Sequence, residues 1–305
     1  MTVEELRSRL HGVLGFPVTP FRQDLSLDLD ALERNVAEMA EHSFCAIVAA
    51  GGAGEMYSLA PEEHVEVMRV AVHAAAGKLP VIAGVGSSAA LASQLARRFE
   101  LLGAAGLLVF PPYYVSAPEA GLLGYYRSIE AATALPLVLY ARDWAAFSPE
   151  TALRLADALP ALAAWKDGQG DLRRFERIMT RLGGRLAWIG GAGDDLIPAY
   201  VSIGVRAFTS SISSIAPKLS AALGAAAGAG DAARLDILMR KYVYPLFALR
   251  DRSRGYEVAV TKAAMEILGR RAGPVRPPLA PLTERDLEEL RRLMEGWADI
   301  DGARI

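Results

Sequence analysis

One lysine stands where lysines are rarely found. In Ala161-Leu-Ala-Ala-Trp-Lys-Asp-Gly-Gln-Gly-Asp171, five apolar residues run directly into Lys166, and a glycine-rich turn follows at once. A short apolar run bounded by turn signals reads as a buried strand of a parallel sheet. An amine placed there loses solvation, which favours its neutral, nucleophilic form over the ammonium that dominates below its ordinary pKa of about 10.4. Such an amine attacks carbonyl carbons and forms Schiff bases. The plainer reading is that Lys166 marks the point where the strand leaves the core for solvent. Other residues weigh against that reading. Tyr140 and Arg142 close one apolar run, Tyr113 and Tyr114 follow another, and Ser210 and Ser211 end a third. Gly51, Gly52 and Ala53 form a turn whose backbone amides can hold a carboxylate or phosphate. Gly191 lies in a second glycine turn. Taken one at a time these are a core aromatic, a solvated charge, packing tyrosines and tight turns. Together they supply a lysine for imine formation, tyrosines for proton transfer, an arginine for a carboxylate and free amides.

These residues reach one place only if a particular architecture positions them. Eight apolar, strand-like runs occur between residues 13 and 210: Val13–Phe21, Phe44–Ala50, Pro80–Val85, Gly106–Phe110, Leu135–Tyr140, Leu162–Lys166, Leu186–Ile189 and Val205–Ser210. Amphipathic segments separate them, among them Leu29–Glu41, Pro61–Ala76, Ala89–Leu102, Pro118–Ala132 and Leu172–Leu182. Ala60-Pro61-Glu62, Ala117-Pro118-Glu119 and Ser148-Pro149-Glu150 each offer a proline and then an acid to a first helical turn, where a fixed φ and the helix dipole favour them. Strands alternating with helices imply a parallel sheet, and eight units imply a closed (β/α)8 TIM barrel over residues 1–225. An open doubly wound sheet is the alternative. In such a barrel, functional residues lie at the carboxyl ends of the strands, which is where the residues above fall. Residues 226–305 read as a C-terminal helical region: helices over Asp231–Arg250 and Tyr256–Arg270, a proline-rich connector from Gly273 to Pro281, and a last helix from about Thr283.

Composition narrows the function. The chain has 305 residues, an apolar fraction of 52% and a formal charge of −2, so neither a nucleic-acid surface nor a polybasic membrane patch is expected. The single cysteine, Cys45, excludes an internal disulfide, fits a reducing compartment and sits in an apolar run suited to core packing. The polar, acid-bearing start reads as neither signal nor transit peptide, and no apolar stretch is long enough to cross a bilayer, so a cytoplasmic protein is expected. His11, His42, His64 and His73 show no ligand spacing and no phosphate-loop motif occurs, so metal and nucleotide chemistry are not expected.

Gly15-Phe-Pro-Val-Thr-Pro-Phe21, Gly51-Gly-Ala-Gly-Glu55, Pro80-Val-Ile-Ala-Gly-Val-Gly86, Pro112-Tyr-Tyr114, Tyr140 and Lys166 resemble, in order and spacing, the dihydrodipicolinate synthase / N-acetylneuraminate lyase superfamily. Arg142-Asp143 and Lys166-Asp-Gly-Gln-Gly-Asp171 look most like its 5-dehydro-4-deoxyglucarate dehydratase branch. The resemblance implies a TIM barrel with C-terminal helices, imine chemistry on a 2-keto acid without a cofactor, and a homotetramer or dimer. It implies that Lys166 forms the imine, that Tyr140 shuttles protons, that Gly51–Glu55 holds the 2-keto carboxylate and that Tyr114 is offered to a neighbouring subunit. The dehydratase branch implies loss of water and carbon dioxide to give 2,5-dioxopentanoate, with Arg142 a candidate for the far carboxylate. An aldolase or lyase working on pyruvate would use the same lysine and tyrosine. Two features depart from the superfamily's pattern. Gly52 and Ala53 lack the hydroxyls its carboxylate turn usually carries, and Ala141 replaces the asparagine that commonly follows the strand-five tyrosine. A lost donor to a carboxylate costs about 1.5–3 kcal/mol unless replaced. Either Ser210, Ser211 or a water makes the contact, or the substrate differs, or the chain binds keto acids without turnover.

Overall fold

The computed structural model describes residues 1–297 and residue 300; of the expected C-terminal region, residues 298, 299 and 301–305 lie outside the described residues. Eight parallel strands close on one another in chain order. They are β1 (Gly12–Gly15), β2 (Phe44–Ala49), β3 (Val81–Ser87), β4 (Gly106–Pro112), β5 (Leu137–Ala141), β6 (Leu162–Asp167), β7 (Ala187–Gly190) and β8 (Ala207–Ser210), and β8 pairs back onto β1. The fold is the expected (β/α)8 barrel.

Side-chain alternation divides each strand between two apolar layers. Leu14, Ala46, Val48, Ile82, Leu108, Val138, Ala164, Ile189 and Ala207 fill the barrel interior. Val13, Ile47, Leu107, Val109, Leu139 and Trp165 face the surrounding helices. Because both faces are buried, these strands read in the sequence as continuous apolar runs. The same alternation carries Lys166 inward, two residues beyond Ala164, and Tyr140 inward, two beyond Val138.

Strand β1 is shorter than its apolar run. It ends at Gly15, and Phe16–Pro20 lies outside the sheet. Pro17 and Pro20 have no backbone N–H for a ladder, which stops the strand there. Serine side chains hold the departing segment instead: Phe16 N–H donates to Ser213 Oγ at 3.0 Å, and Val18 N–H to Ser214 Oγ at 3.2 Å.

The helices Leu29–Met39, Pro61–Ala75, Ala89–Leu101, Glu119–Glu130, Pro149–Ala158 and Leu172–Leu182 cover successive crossovers. Pro61 and Pro149 open first turns as the sequence signals indicate, Pro118 instead precedes its helix as the N-cap, and Asp28, Ser88, Ser148 and Asp171 cap others with their side chains. An unanticipated helix, Val3–Arg9, closes the bottom of the barrel with Leu6, and a capping box between Thr2 and Glu5 starts it. The helix Pro217–Ala229 runs across the expected boundary at residue 225. The segment expected as one helix over Asp231–Arg250 is helical over Ala232–Leu238 and Tyr244–Arg250, with a π turn at Met239–Val243 between them. Pro245 supplies the reason: it cannot donate its backbone bond, and the preceding turn rewinds around the gap. The helices Tyr256–Ile267 and Glu284–Glu295 complete the described chain, and Leu290, Met294 and Trp297 share one core with the barrel's outer layer. Among the described residues, no helix is long and apolar enough to cross a membrane.

Candidate active site

Tyr140 and Lys166 are direct register partners on β5 and β6, so their side chains leave the sheet side by side on its inner face. The lysine is only 3% exposed. Its Nζ lies 3.4 Å from the centroid of the Tyr140 ring and 5.7 Å from that of Phe16. Its hydrogen-bond partner is the carbonyl of Gly191, at 3.0 Å, just past the end of β7. Burial pulls the ammonium below the usual lysine pKa, against the opposing pull of Tyr140; Arg142 adds to the lowering. The lysine is buried, as one of the two sequence readings expects, and does not exit into solvent.

Two glycines make room for this arrangement. A Cβ on Gly191 would sit 2.5 Å from Lys166 Cε and 2.7 Å from the Asp167 carbonyl oxygen, so a side chain there would expel the amine. A Cβ on Gly168 would lie 2.4 Å from the Tyr140 ring. Gly191, expected among the substrate contacts, therefore faces the lysine itself.

Tyr140 is buried between the amine and Arg142. Arg142 Nη1 donates to its phenol oxygen at 2.9 Å, and Phe110 packs edge-on against its ring with centroids 5.1 Å apart. Burial alone would raise the phenol's pKa, but the charges of Lys166 and Arg142, with their hydrogen bonds, hold it below the usual tyrosine value. The guanidinium is stabilised in return, mainly by Tyr140. A phenol and an amine whose pKa values are both lowered, packed one on the other, are suited to passing a proton between them.

Asp167, part of the Lys166–Asp171 motif but without a role assigned from the sequence, secures the turn after the lysine. Its carboxylate accepts from the backbone N–H groups of Gln169 and Gly170, each at 3.1 Å, and from the Tyr200 hydroxyl at 2.6 Å. The aspartate two residues before Gln169 is itself the signal for such a turn.

The glycine turn after β2 brings its amides to the same end of the barrel. Thr19 Oγ1 donates to Gly54 O at 2.6 Å, and Glu55 N–H to Gly52 O at 3.1 Å, so the turn is closed on itself. Among the described residues, the amides of Gly52 and Ala53 donate to no backbone carbonyl. The serines after β8 are committed elsewhere. Ser210 Oγ accepts from Ser220 Oγ at 2.8 Å, and Ser211 Oγ bridges Asp194 at 2.9 Å and Arg250 at 2.7 Å. Neither hydroxyl stands free in the way the sequence suggested. Their partners Ser220 and Arg250 come from later helices and carried no sequence signal of the connection. Tyr114 lies away from Lys166's enclosure, 87% exposed beside exposed Tyr113 and Val115, with its backbone in the left-handed region at φ 73°. Cys45 is buried, and burial pushes its thiol pKa up to about 12, which suits packing. Among the described residues, no three His, Cys, Asp or Glu side chains gather as a metal-binding set.

The pattern that defines the "Dihydrodipicolinate synthetase family" matches residues 9–296. A "Probable 5-dehydro-4-deoxyglucarate dehydratase" of Bradyrhizobium diazoefficiens is 37% identical over 298 residues, which cover 97% of this chain and 95% of that one. A protein of the same name from Ralstonia nicotianae is 39% identical over 291 residues, covering 95% and 94%. Among solved structures, dihydrodipicolinate synthase from Oceanobacillus iheyensis superposes with a TM-score of 0.91 at 29% identity, covering 97% of this chain and 99% of that one. The chain belongs to the dihydrodipicolinate synthetase family.

Proposed function

We propose that this protein is a Schiff-base lyase acting on a 2-keto-3-deoxy sugar acid, and that it dehydrates and decarboxylates 5-dehydro-4-deoxyglucarate to 2,5-dioxopentanoate. The observation that carries the reading is the buried Lys166 amine resting on the Tyr140 ring, 3.4 Å from its centroid, with Arg142 on the phenol oxygen. The names of the Bradyrhizobium and Ralstonia relatives support the choice of substrate.

The substrate's 2-keto carboxylate lies on the free amides of Gly52 and Ala53, which compensate its charge as donors do in an anion nest. Neutral Lys166 attacks the ketone carbon, and loss of water gives a protonated imine. That iminium is the electron sink, so no other cofactor is needed to acidify the adjacent methylene. Tyr140 takes the methylene proton and returns it to the departing hydroxide on the next carbon, leaving an iminium conjugated with a new double bond. The far carboxylate then leaves as carbon dioxide, its bonding electrons flowing into that conjugated system. The resulting enol tautomerises to an aldehyde, a proton from solvent returns to the former methylene carbon and converts the enamine to an imine, and hydrolysis of that imine frees Lys166. One substrate dianion and one proton thus yield one water, one carbon dioxide and 2,5-dioxopentanoate. Arg142 has Nη1 on Tyr140 and Nε 3.7 Å from Asp143 Oδ1, which leaves Nη2 for the far carboxylate until it departs. Exposed Tyr113, Tyr114 and Val115 support an assembly, a homotetramer or dimer, in which Tyr114 covers a neighbouring site.

The second reading, a pyruvate-dependent aldolase, rests on the same Lys166 and Tyr140. Incubation with 5-dehydro-4-deoxyglucarate separates the two: carbon dioxide and an aldehyde product support the dehydratase, whereas pyruvate release supports the lyase. A protein that binds keto acids and releases neither matches the third reading, binding without turnover.

A further inference from the structure

The turn assigned above to the keto acid's carboxylate contains no side-chain hydroxyl at Gly52 or Ala53. Its grip on an anion therefore depends on where the backbone points its amides. That backbone is closed by Glu55, a non-glycine residue in the left-handed region at φ 52° and ψ 40°. A residue of this kind costs free energy and persists only where its surroundings fix it.

The surroundings of Glu55 lie outside the barrel. Its side chain is fully buried, with Oε1 2.5 Å from Lys262 Nζ and Oε2 accepting the Arg276 backbone N–H at 3.0 Å. Lys262, on the helix Tyr256–Ile267, is 1% exposed and also donates to Pro274 O at 2.8 Å. Its ammonium and the Arg276 guanidinium each lie 4.1 Å from the Phe21 ring centroid. Arg276 is anchored in turn to Glu63 at 2.6 Å and to the carbonyls of Leu25 and Ser58. Fold stability gives little reason to keep such a pair, because replacing a buried ion pair by neutral groups is often neutral or stabilising. What the pair uniquely provides is a fixed direction for Glu55, and so for the turn it closes.

We propose that Lys262, through its buried ion pair with Glu55, is a positioning residue for the carboxylate-binding turn, so that a helix outside the barrel sets the affinity for the 2-keto carboxylate. The proposal rests on the reading of Gly51–Glu55 as that carboxylate's site.

The test compares borohydride trapping of pyruvate and of methyl pyruvate by the full-length parent, Glu55→Gln, Lys262→Met and the double variant. The half-saturating pyruvate concentration is expected to rise about tenfold or more in all three variants, as loss of donors to a charged group does. The ester, which lacks the carboxylate charge, is expected to change by less than about twofold on the same grounds. The double variant carries no lone buried charge and is expected to melt close to the parent, which separates lost positioning from lost folding. A folded variant with the parent's half-saturation for pyruvate overturns the proposal. Equal weakening of acid and ester also overturns it. A parent that traps neither compound overturns the proposal, and a parent that also fails to trap 5-dehydro-4-deoxyglucarate overturns the imine reading with it, which distinguishes the two failures.

Discussion

Arg142 Nη1, one residue past the end of β5, donates to the Tyr140 hydroxyl at 2.9 Å. The contact ties a charge expected for substrate recognition to the group expected to move protons. Arg142→Leu removes one of the two cations that offset burial of the phenol, so the Tyr140 pKa rises. The inflection that Tyr140 contributes to the pH profile of kcat is expected to move upward, and Arg142→Lys is expected to restore part of the shift. A pure increase in KM with an unchanged profile would restrict Arg142 to substrate binding.

Tyr140→Phe keeps the ring on which Lys166 rests and deletes the proton-carrying oxygen. Turnover is expected to fall by about 10²–10⁴-fold, the usual contribution of a positioned acid–base group. Lys166 remains present, so covalent trapping of a keto acid survives. Steady-state rates and intact mass measured on one preparation check both halves of the expectation.

Gly191→Ala tests the enclosure of the amine. The new methyl would meet Lys166 Cε at 2.5 Å and the Asp167 backbone oxygen at 2.7 Å, and the second contact cannot be relieved by rotating a side chain. Overpacking of this kind costs about 1–3 kcal/mol. A lower melting temperature together with loss of keto-acid trapping is expected, and parent-like trapping would mean that the lysine does not depend on this space.

His64 provides a pH-dependent contribution to stability unconnected with catalysis. It is buried against Phe99, and burial lowers its pKa from 6.5 to about 4. Above the unfolded pKa both states are neutral. As pH falls from about 6.5 towards 4, the unfolded chain takes up a proton that the folded chain refuses, so stability is lost across that window. The loss amounts to at most about 3.5 kcal/mol, from roughly 1.4 kcal/mol per pKa unit. Denaturant unfolding of the parent and of His64→Leu at pH 7 and pH 4.5 measures it: the variant is expected to lose less stability between the two.

The barrel was legible because parallel strands buried on both faces leave apolar runs, and Lys166 was legible as the polar break in one of them. The length of β1 was misread, although Pro17 and Pro20 state where a ladder must stop. The helix Val3–Arg9 was also missed: its capping box is plain in the sequence, but Leu6 and Leu10 alone mark its buried side. The Tyr140–Arg142 contact did not follow from strand alternation, because β5 ends at Ala141 and Arg142 already belongs to the loop. Connections that depend on distant helices left no local trace, including Ser211 with Arg250 and Glu55 with Lys262, since sequence periodicity reports which face is buried and not what meets it.

The most direct test of the account is borohydride reduction of the parent and of Lys166→Ala in the presence of 5-dehydro-4-deoxyglucarate, followed by intact mass and peptide mapping. The account predicts an adduct confined to Lys166, absent from the variant, with a mass that reflects loss of water or of water and carbon dioxide. A folded parent that consumes the compound with no adduct, or an adduct on another lysine, would contradict it.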